Sequence, residues 1–313
     1  MSPTTIRIAA VIPTYNRAPL LGRAIESVLA QTYRAAEIIV IDDGSRDDSA
    51  AVAAKFGTAI RYVRQENAGA SEARNNGVRL ASTEWVAFLD SDDVWVPTHL
   101  ERMAAAIEGT KGCAPVYFAD MEQAPEDGGG SLWESIGFHI HPPYELLEDA
   151  SECVMMDRQP TMLQCSVFRK EAYEKTGGLW KPLWLTHDTH LFLKLCLGGP
   201  ACAVAGYGSV QTSDAASGGT RLTLTHGHNK RSYWTETALL WKDVLQCARA
   251  RAPKYVSRLR WLYANAHWRL ARFDWSAGRK GTAIADVAQV LRIQPTYLFS
   301  IAATRRRGVR EPA

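Results

Sequence analysis

Residues 6–41 read IRIAAVIPTYNRAPLLGRAIESVLAQTYRAAEIIVI. Ile6 to Ile12 is a short β-branched run that stops at Pro13. Residues 19–31 then set Leu20, Leu21, Ala24, Ile25, Val28 and Leu29 at helical spacing, and Ile38 to Ile41 is a second uninterrupted apolar run. Strand, helix, strand implies two parallel strands joined by a crossover. The pattern repeats: Ala50–Phe56 reads as helix, Ile60–Val63 as strand, Ser71–Ala81 as helix with Ala73, Val78 and Leu80 inward, and Trp85–Leu89 as a buried strand. Four strands with intervening helices predict an α/β fold, an open and mostly parallel Rossmann-like sheet flanked by helices.

Further along, residues 97–109 read as a helix started by Pro97, and Pro115–Ala119 as another strand. Residues 122–150, rich in Gly, Pro and acids around Gly128-Gly129-Gly130, predict a long, mobile excursion. Order resumes at Met162–Phe168 and in a helix over 188–197, and residues 208–220 predict a second flexible loop. From Ser232 the pattern turns to long helical periodicities, predicting helices over 232–250, 254–276 and 279–292 separated by Pro253 and Gly278. Ser257–Gln294 has a faint tetratricopeptide-like alternation of Ala, aromatic and Leu positions, but one unit is not a repeat array, and an ordinary helical hairpin is the preferred reading.

Composition narrows the class. With 313 residues, 46% hydrophobic and 22% charged, the chain can bury a substantial core, which argues against a fibrous or disordered protein. The formal net charge of +3 is unevenly spread: residues 251–313 carry 13 Lys and Arg against 3 Asp and Glu, the remainder 23 against 30. The six cysteines are scattered without a C-x-x-C pair, which argues against a disulfide framework or structural zinc. The N-terminus lacks a secretory pattern and no apolar stretch is long enough to span a membrane, so the expected location is a reducing cytoplasm, with peripheral contact at the inner face of the membrane left open.

Three acidic features fall near predicted strand ends or helix starts: Asp42-Asp43, Asp90-Ser91-Asp92-Asp93 and Asp188. Ligands of open α/β sheets bind outside the carboxyl ends of the strands. Carboxylates gathered in one turn repel one another unless a cation or a hydrogen-bonded hydroxyl offsets the charge, and oxygen-only ligands favour Mg²⁺ or Mn²⁺ over zinc. Alone, such a triplet also reads as a solvated acidic turn before Pro97. The chain has no Walker A loop, no G-x-G-x-x-G fingerprint and no H-E-x-x-H motif.

In combination these stretches resemble the glycosyltransferases of family 2, which have the nucleotide-sugar-binding GT-A fold. Val11-Ile12-Pro13-Thr14-Tyr15-Asn16-Arg17 looks like the opening motif, Ala24 to Tyr33 like the following helix, and Ile39-Val40-Ile41-Asp42-Asp43-Gly44-Ser45 like the second-strand motif. Asn67-Ala68-Gly69 with Ala73-Arg74-Asn75 resembles the third, and Phe88-Leu89-Asp90-Ser91-Asp92-Asp93 the metal motif, all in order. The match is close over 6–100 and looser to about 230.

The resemblance implies an inverting glycosyltransferase that moves a sugar from a nucleoside-diphosphate donor, UDP-linked, to a saccharide or lipid-linked acceptor hydroxyl in bacterial cell-surface polysaccharide or glycolipid synthesis. It implies a GT-A domain over 1–230, its nucleotide-sugar half about 1–120 and acceptor half about 121–230, with a basic helical appendage over 231–313. Pro13, Thr14 and Tyr15, on the loop after the first strand, would line the base pocket and Asp42 would accept from the base imide. Asp90, beside Ser91, would bond the ribose, Asp92 would hold Mn²⁺ or Mg²⁺, and Arg74 would add charge near the diphosphate. For Asn67 and Asn75 the choice between structural and ligand roles stays open, as it does for Asp93 between supporting the metal site and capping the helix at Pro97. Gly177-Gly178-Leu179-Trp180 followed by His187-Asp188 is similar to the family's glycine-pair loop and acidic dipeptide, with His187 replacing the usual first acid. Asp188 is then the general base or, alternatively, a helix N-cap. His226 or His228 would complete the metal shell, contact phosphate, or do neither, and Ser209–Thr225 would form a lid over the donor.

Two other readings compete. A sugar nucleotidyltransferase is expected to carry a Gly-rich triphosphate loop after the first strand, and Pro13–Arg17 has no glycine. A non-catalytic sugar-nucleotide-binding protein with a helical interaction tail would turn over no donor. The acidic clusters argue against a nucleic-acid enzyme. The basic tail with Arg305-Arg306-Arg307 reads either as solvated helix faces or as contact with an anionic membrane. Oligomeric state is not legible.

Overall fold

The computed structural model describes residues 5–212 and 230–298. They separate into two compact units, one lying within Met1–Lys181 and His187–Arg221, the other within Pro182–Thr186 and Leu222–Ala313.

The first unit alternates as the sequence leads one to expect: β1 (Ile8–Thr14), α1 (Ala18–Leu29), β2 (Glu37–Asp42), α2 (Ser49–Ala54), β3 (Arg61–Arg64), α3 (Ala70–Leu80) and β4 (Trp85–Phe88). There follow β5 (Val94–Trp95), α4 (His99–Gly109), β6 (Val116–Gln123), β7 (Gly130–Ser131), α5 (Leu132–Ile136), β8 (Tyr144–Leu147), α6 (Ser151–Val154), β9 (Ser166–Arg169), α7 (Lys170–Lys175), α8 (His187–Cys196) and β10 (Ala201–Val210). The strands form one sheet in the order β3-β2-β1-β4-β9-β6-β10-β5, with β7 on β6 and β8 on β10. The pairs β3-β2, β2-β1, β1-β4 and β6-β10 are parallel, while β9 runs antiparallel between β4 and β6. This is a mixed, mostly parallel sheet flanked by helices, the GT-A-like architecture expected.

All seven residues of β1 are buried, so a continuous apolar run with no alternation is what its position demands. Pro13 and Thr14 belong to this strand, leaving Tyr15 as the first residue of the loop. Pro13 is tolerated because it lies past Val11–Phe88, the last β1–β4 pair, where that ladder has already ended. α3 turns Ser71, Ala73, Arg74, Gly77 and Val78 inward, whereas Leu80 is only half-buried. A Cβ at Gly77 would overlap the Val11 side chain, which explains the glycine inside a helix. The buried arginine on the same face is the anomaly.

Parts of two stretches expected to be loose are built into the sheet: the start of 208–220, whose residues 213–220 lie outside the described residues, and short strands within 122–150. Gly208, Ser209 and Val210 are part of β10: a Cβ at Gly208 would sit 3.0 Å from the His99 ring, so close approach selects the glycine. Gly206, with φ of +88°, accompanies a shift of register against β6. In the excursion after β6, buried Asp120 accepts from the Ser131 hydroxyl at 2.5 Å and the Trp133 N–H at 3.0 Å. The Trp133 indole donates to the Pro160 carbonyl at 2.8 Å and packs edge-on against Phe118 and Phe138. The excursion is therefore tied to the sheet by one carboxylate and one indole.

Among the described residues the second unit has three α-helices, α9 (Lys230–Arg251), α10 (Val256–Ser276) and α11 (Lys280–Ile293), close to the spans the periodicity predicts. Within the same unit, Glu236 accepts from the N–H groups of Trp184 and Leu185 at 2.8 and 2.7 Å. The carboxylate of Asp274 is fully buried and accepts from Arg231 at 2.9 Å and Arg279 at 2.6 Å. The Arg231 hydrogen bonds, aided by Arg279, outweigh burial and hold its pKa down to about 2. A depressed carboxyl pKa contributes stability that is complete above the unfolded value near 4 and is lost as pH falls through the folded value. Asp274→Asn should accordingly cost on the order of 1–2 kcal/mol at pH 7; melting curves of the two proteins should converge between pH 4 and pH 2.

Candidate functional site

The parallel registers bring the carboxyl ends of four strands to one edge of the first unit. Thr14 lies opposite Asp42, Asp42 opposite Arg64, and Val11 opposite Phe88, two residues before Asp90. The loops leaving β1 and β2 are sewn together there. Asn16, held at φ of +52°, donates its N–H to the Ser45 hydroxyl at 2.9 Å and accepts from the Arg46 N–H at 2.8 Å. The N–H groups of Arg17 and Ala18 donate to Ser49 at 3.2 Å and Asp47 at 2.9 Å, so the start of α1 is capped from the neighbouring loop. Partial burial pushes the Asp47 carboxyl up, but the Ser49 hydroxyl and the Ala18 N–H together bring it below its ordinary value. Tyr15, 45% exposed, projects from this loop.

The adjacent acids Asp42 and Asp43 do different things. Asp42 is buried and accepts from the Ser45 N–H at 2.7 Å and from the Tyr62 hydroxyl; burial and this carboxylate push the Tyr62 phenol up. Asp43 accepts from Gln65 at 2.7 Å and from the N–H groups of Ala68 and Gly69 at 2.8 Å each, just before α3 begins. A Cβ at Gly44, whose φ is +82°, would lie 3.1 Å from the Asn67 nitrogen, so the glycine lets this loop close on the next. Asn67 itself is exposed.

After β4 the chain turns at Asp90, with the Asp93 N–H donating to the Asp90 carbonyl at 3.0 Å. Arg74, its side chain 7% exposed, is paired with Asp90. Burial alone would lower the Arg74 pKa; Asp90 foremost, with more distant help from Tyr173 and Asp188, raises it instead. Among the described residues its Nε and Nη1 are buried without a hydrogen-bond partner, as is the Thr14 hydroxyl. Native interiors rarely leave such groups unmatched, and a buried guanidinium with unused donors at a strand edge is the mark of a site for an acceptor-rich ligand. Ser91 is buried. Asp92 is paired with Arg17 at 3.3 Å, a partner whose role the sequence did not suggest.

Asp93 does not cap α4, whose N-cap residue is Thr98. Its buried carboxylate accepts from the Thr212 N–H at 3.0 Å and from Gln164 at 3.2 Å, while the Thr212 hydroxyl donates to the Asp92 carbonyl. The acidic turn is thus fastened to the end of β10. Asp188 sits in the first turn of α8, half-buried, accepting the N–H of Thr189 at 2.7 Å. Its charge is one of the smaller influences that raise the Arg74 pKa. His226, His228 and Arg305 to Arg307 lie outside the described residues, as do 213–225 of the expected lid.

Among the described residues no group of three or more His, Cys, Asp and Glu side chains is arranged to hold a metal ion. The donor set at the Asp90–Asp92 turn nevertheless suits a hard divalent cation, which is commonly bound through one or two carboxylates plus substrate phosphates. Among the described residues no helix is long and apolar enough to cross a membrane.

The family model described as Glycosyl transferase family 2 matches residues 9–176, more than half of the sequence and all of the strand edge just described. The chain belongs to glycosyl transferase family 2. Relatives similar in sequence include the uncharacterized glycosyltransferase YibD of Escherichia coli (strain K12), 41% identical over 144 residues, 44% of this chain and 40% of that protein. An uncharacterized glycosyltransferase of Haemophilus influenzae is 29% identical over 191 residues, 60% of this chain and 61% of that one. The matched segments thus span less than two thirds of these relatives' length. Among solved structures, S. aureus TarS 1–349 in complex with UDP-GlcNAc superposes with a TM-score of 0.64 at 15% identity, covering 92% of this chain and 81% of TarS 1–349. The mannosyltransferase PcManGT from Pyrobaculum calidifontis, in complex with GDP-Man and Mn²⁺, gives 0.54 at 18% identity, covering 98% and 84%. At these identities the structural likeness speaks for the fold.

In this family 2 chain, Asp43 is the carboxylate on which α3 hangs. Asp43→Ala removes three hydrogen bonds and strands two backbone donors, at a cost of roughly 2–4 kcal/mol. The urea midpoint should fall accordingly, while Asp43→Asn should recover part of the loss.

Proposed function

We propose that this family 2 protein transfers a sugar from a nucleoside-diphosphate donor, UDP-linked, to the hydroxyl of a saccharide or lipid-linked acceptor, with inversion at the anomeric carbon. The observation that carries the reading is the buried Arg74 guanidinium, held by Asp90 yet with Nε and Nη1 unused among the described residues, together with the Thr14 hydroxyl at the end of β1, which has no partner among them either. Donors at this edge match the oxygen-rich face of a nucleotide. Tyr15 would cover the base and Asp42 would accept from its imide, with Pro13 forming part of the pocket wall. Asp90 would take the ribose hydroxyls, with Ser91 beneath it. The domain boundaries suggested by the sequence, 1–230 and 231–313, remain part of this proposal, as does a place in cell-surface polysaccharide or glycolipid synthesis on the cytoplasmic face of a membrane.

On the acceptor side, the attacking hydroxyl gives its proton to the Asp188 carboxylate as its oxygen bonds to the anomeric carbon and the bond to the nucleoside diphosphate breaks. A hydroxyl is a poor nucleophile at neutral pH, so a well-placed base contributes typically about 10²–10⁴-fold. Arg74 supplies fixed positive charge on the donor side, where negative charge accumulates as the diphosphate leaves. Asp92, with His226 as a further candidate, would hold Mn²⁺ or Mg²⁺, and such a cation supplies charge neutralisation to a leaving diphosphate.

Three substitutions separate these roles. Asp188→Asn should lower turnover by roughly 10²–10⁴-fold with UDP affinity unchanged within about twofold. Asp92→Ala should remove the Mn²⁺-dependent part of UDP binding in calorimetry. Arg74→Ala should weaken UDP binding at least about tenfold, the scale of a charge-assisted pair. Loss of UDP affinity in Asp188→Asn would contradict the base assignment. A thermal-shift panel of UDP-, dTDP- and GDP-sugars with Mn²⁺ identifies the donor.

A further inference from the structure

Arg74 and Asn75 are neighbours on α3, so their side chains leave the helix in different directions. Arg74 meets Asp90, whereas the Asn75 amide reaches a segment more than 100 residues away. Its Oδ1 accepts from the Leu179 N–H at 3.0 Å and from the Tyr173 hydroxyl at 2.6 Å, and its Nδ2 donates to the Leu179 carbonyl at 2.9 Å. One side chain thereby holds both backbone groups of Leu179, a two-point grip that needs a donor and an acceptor on one short stem. Leu179 is 1% exposed and Tyr173 2%, so the grip is not loosened by water.

The glycine pair before Leu179 answers to this contact. At Gly178, φ is +68° and a Cβ would lie 2.5 Å from Asn75 Oδ1 and 2.9 Å from the Tyr173 ring. At Gly177, φ is +87° and nothing lies within 4 Å, so only the backbone conformation requires glycine. Gly178 is needed because the amide of Asn75 occupies the space a side chain would take.

The next residue carries the contact onward. Trp180 stacks on His190, ring centroids 5.3 Å apart at 32°, and His190 is on α8 two residues after Asp188. Asn75, Leu179, Trp180 and His190 thus form a continuous path from α3 to the helix that bears Asp188. The same α3 presents Arg74 to Asp90, and the Asp188 charge is felt at Arg74.

We infer that Asn75 is a positioning residue for the acceptor side: by gripping Leu179 it sets Trp180 against His190 and holds Asp188 at a fixed place relative to the donor-side pair Arg74–Asp90. The inference rests on the proposed role of Asp188 as base. It assigns Asn75 no contact with either substrate.

Turnover of the donor identified by the thermal-shift panel, UDP binding and hydrogen exchange test it together. Asn75→Ala should lower kcat at least about tenfold while UDP affinity stays within about threefold, since a mispositioned base costs rate rather than donor binding. Asn75→Asp keeps the acceptor oxygens but cannot donate to the Leu179 carbonyl, and should fall between. Trp180→Ala should reproduce the loss with the amide intact, and Trp180→Phe should restore most of it. Gly178→Ala should harm wild type more than it harms Asn75→Ala, because the second background lacks the oxygen it would strike. Exchange in Asn75→Ala should quicken over residues 177–191 and stay unchanged over 85–90. Equal loss of UDP affinity and kcat, an unchanged kcat, or independent effects of Gly178→Ala and Asn75→Ala would overturn the inference. Asp188→Asn keeps the two claims apart: if it loses turnover while Asn75→Ala does not, the positioning role fails alone. If Asp188→Asn retains turnover, the base assignment fails first, and the inference about Asp188 falls with it.

Discussion

A guanidinium buried beneath the carboxyl ends of the parallel strands is the constraint around which the first unit is arranged. A charge so placed has to be answered, and Asp90 answers it. Burial penalises Arg74, yet the nearby carboxylates raise its pKa. That pairing fixes the acidic turn after β4 relative to α3, while Asp93, bonded to Thr212 and Gln164, fixes the other end of the turn to the far part of the sheet. Two donors on Arg74 remain unmatched, which is costly in an interior and reasonable where a ligand completes them.

The carboxylates of this edge divide into structural and available groups by their hydrogen-bond accounts rather than by their order in the sequence. Asp43 is consumed by the start of α3 and Asp47 by the start of α1. Asp120, which looks like a site residue in composition, is consumed by Ser131 and Trp133. Asp42 is tied into its own turn by the Ser45 N–H and also takes the Tyr62 hydroxyl, while Asp90 and Asp92 are paired with the Arg74 and Arg17 side chains at the same edge. Asn75 shows the same economy, spending a whole amide on the backbone of Leu179.

Much of this was legible along the chain. The run Ile8–Thr14, the helical spacing of Leu20 to Val28 and the run Ile38–Ile41 announce a parallel pair, because strands buried on both faces lose their alternation. The three helices after residue 230 follow from periodicity and from Pro253 and Gly278. What misled was glycine: at 208 it marks a close approach to His99 rather than the start of a loose loop, and composition cannot separate the two. Arg17, Tyr62 and the Asn75–Leu179 grip carried no local signal, since each depends on a partner 20 to 104 residues away along the chain.

The amino-acid sequence by itself determined the class of fold, the direction of the first strands and the family to which the motifs belong, because periodicity and short motifs are properties of neighbouring residues. Which acids are consumed and which remain at the site, why Gly178 has to be glycine, and how α3 addresses both Asp90 and the Leu179 loop were decided only by tertiary structure. Hydrogen bonds and buried charge are satisfied in space, and the partners that satisfy them here are distant in the chain.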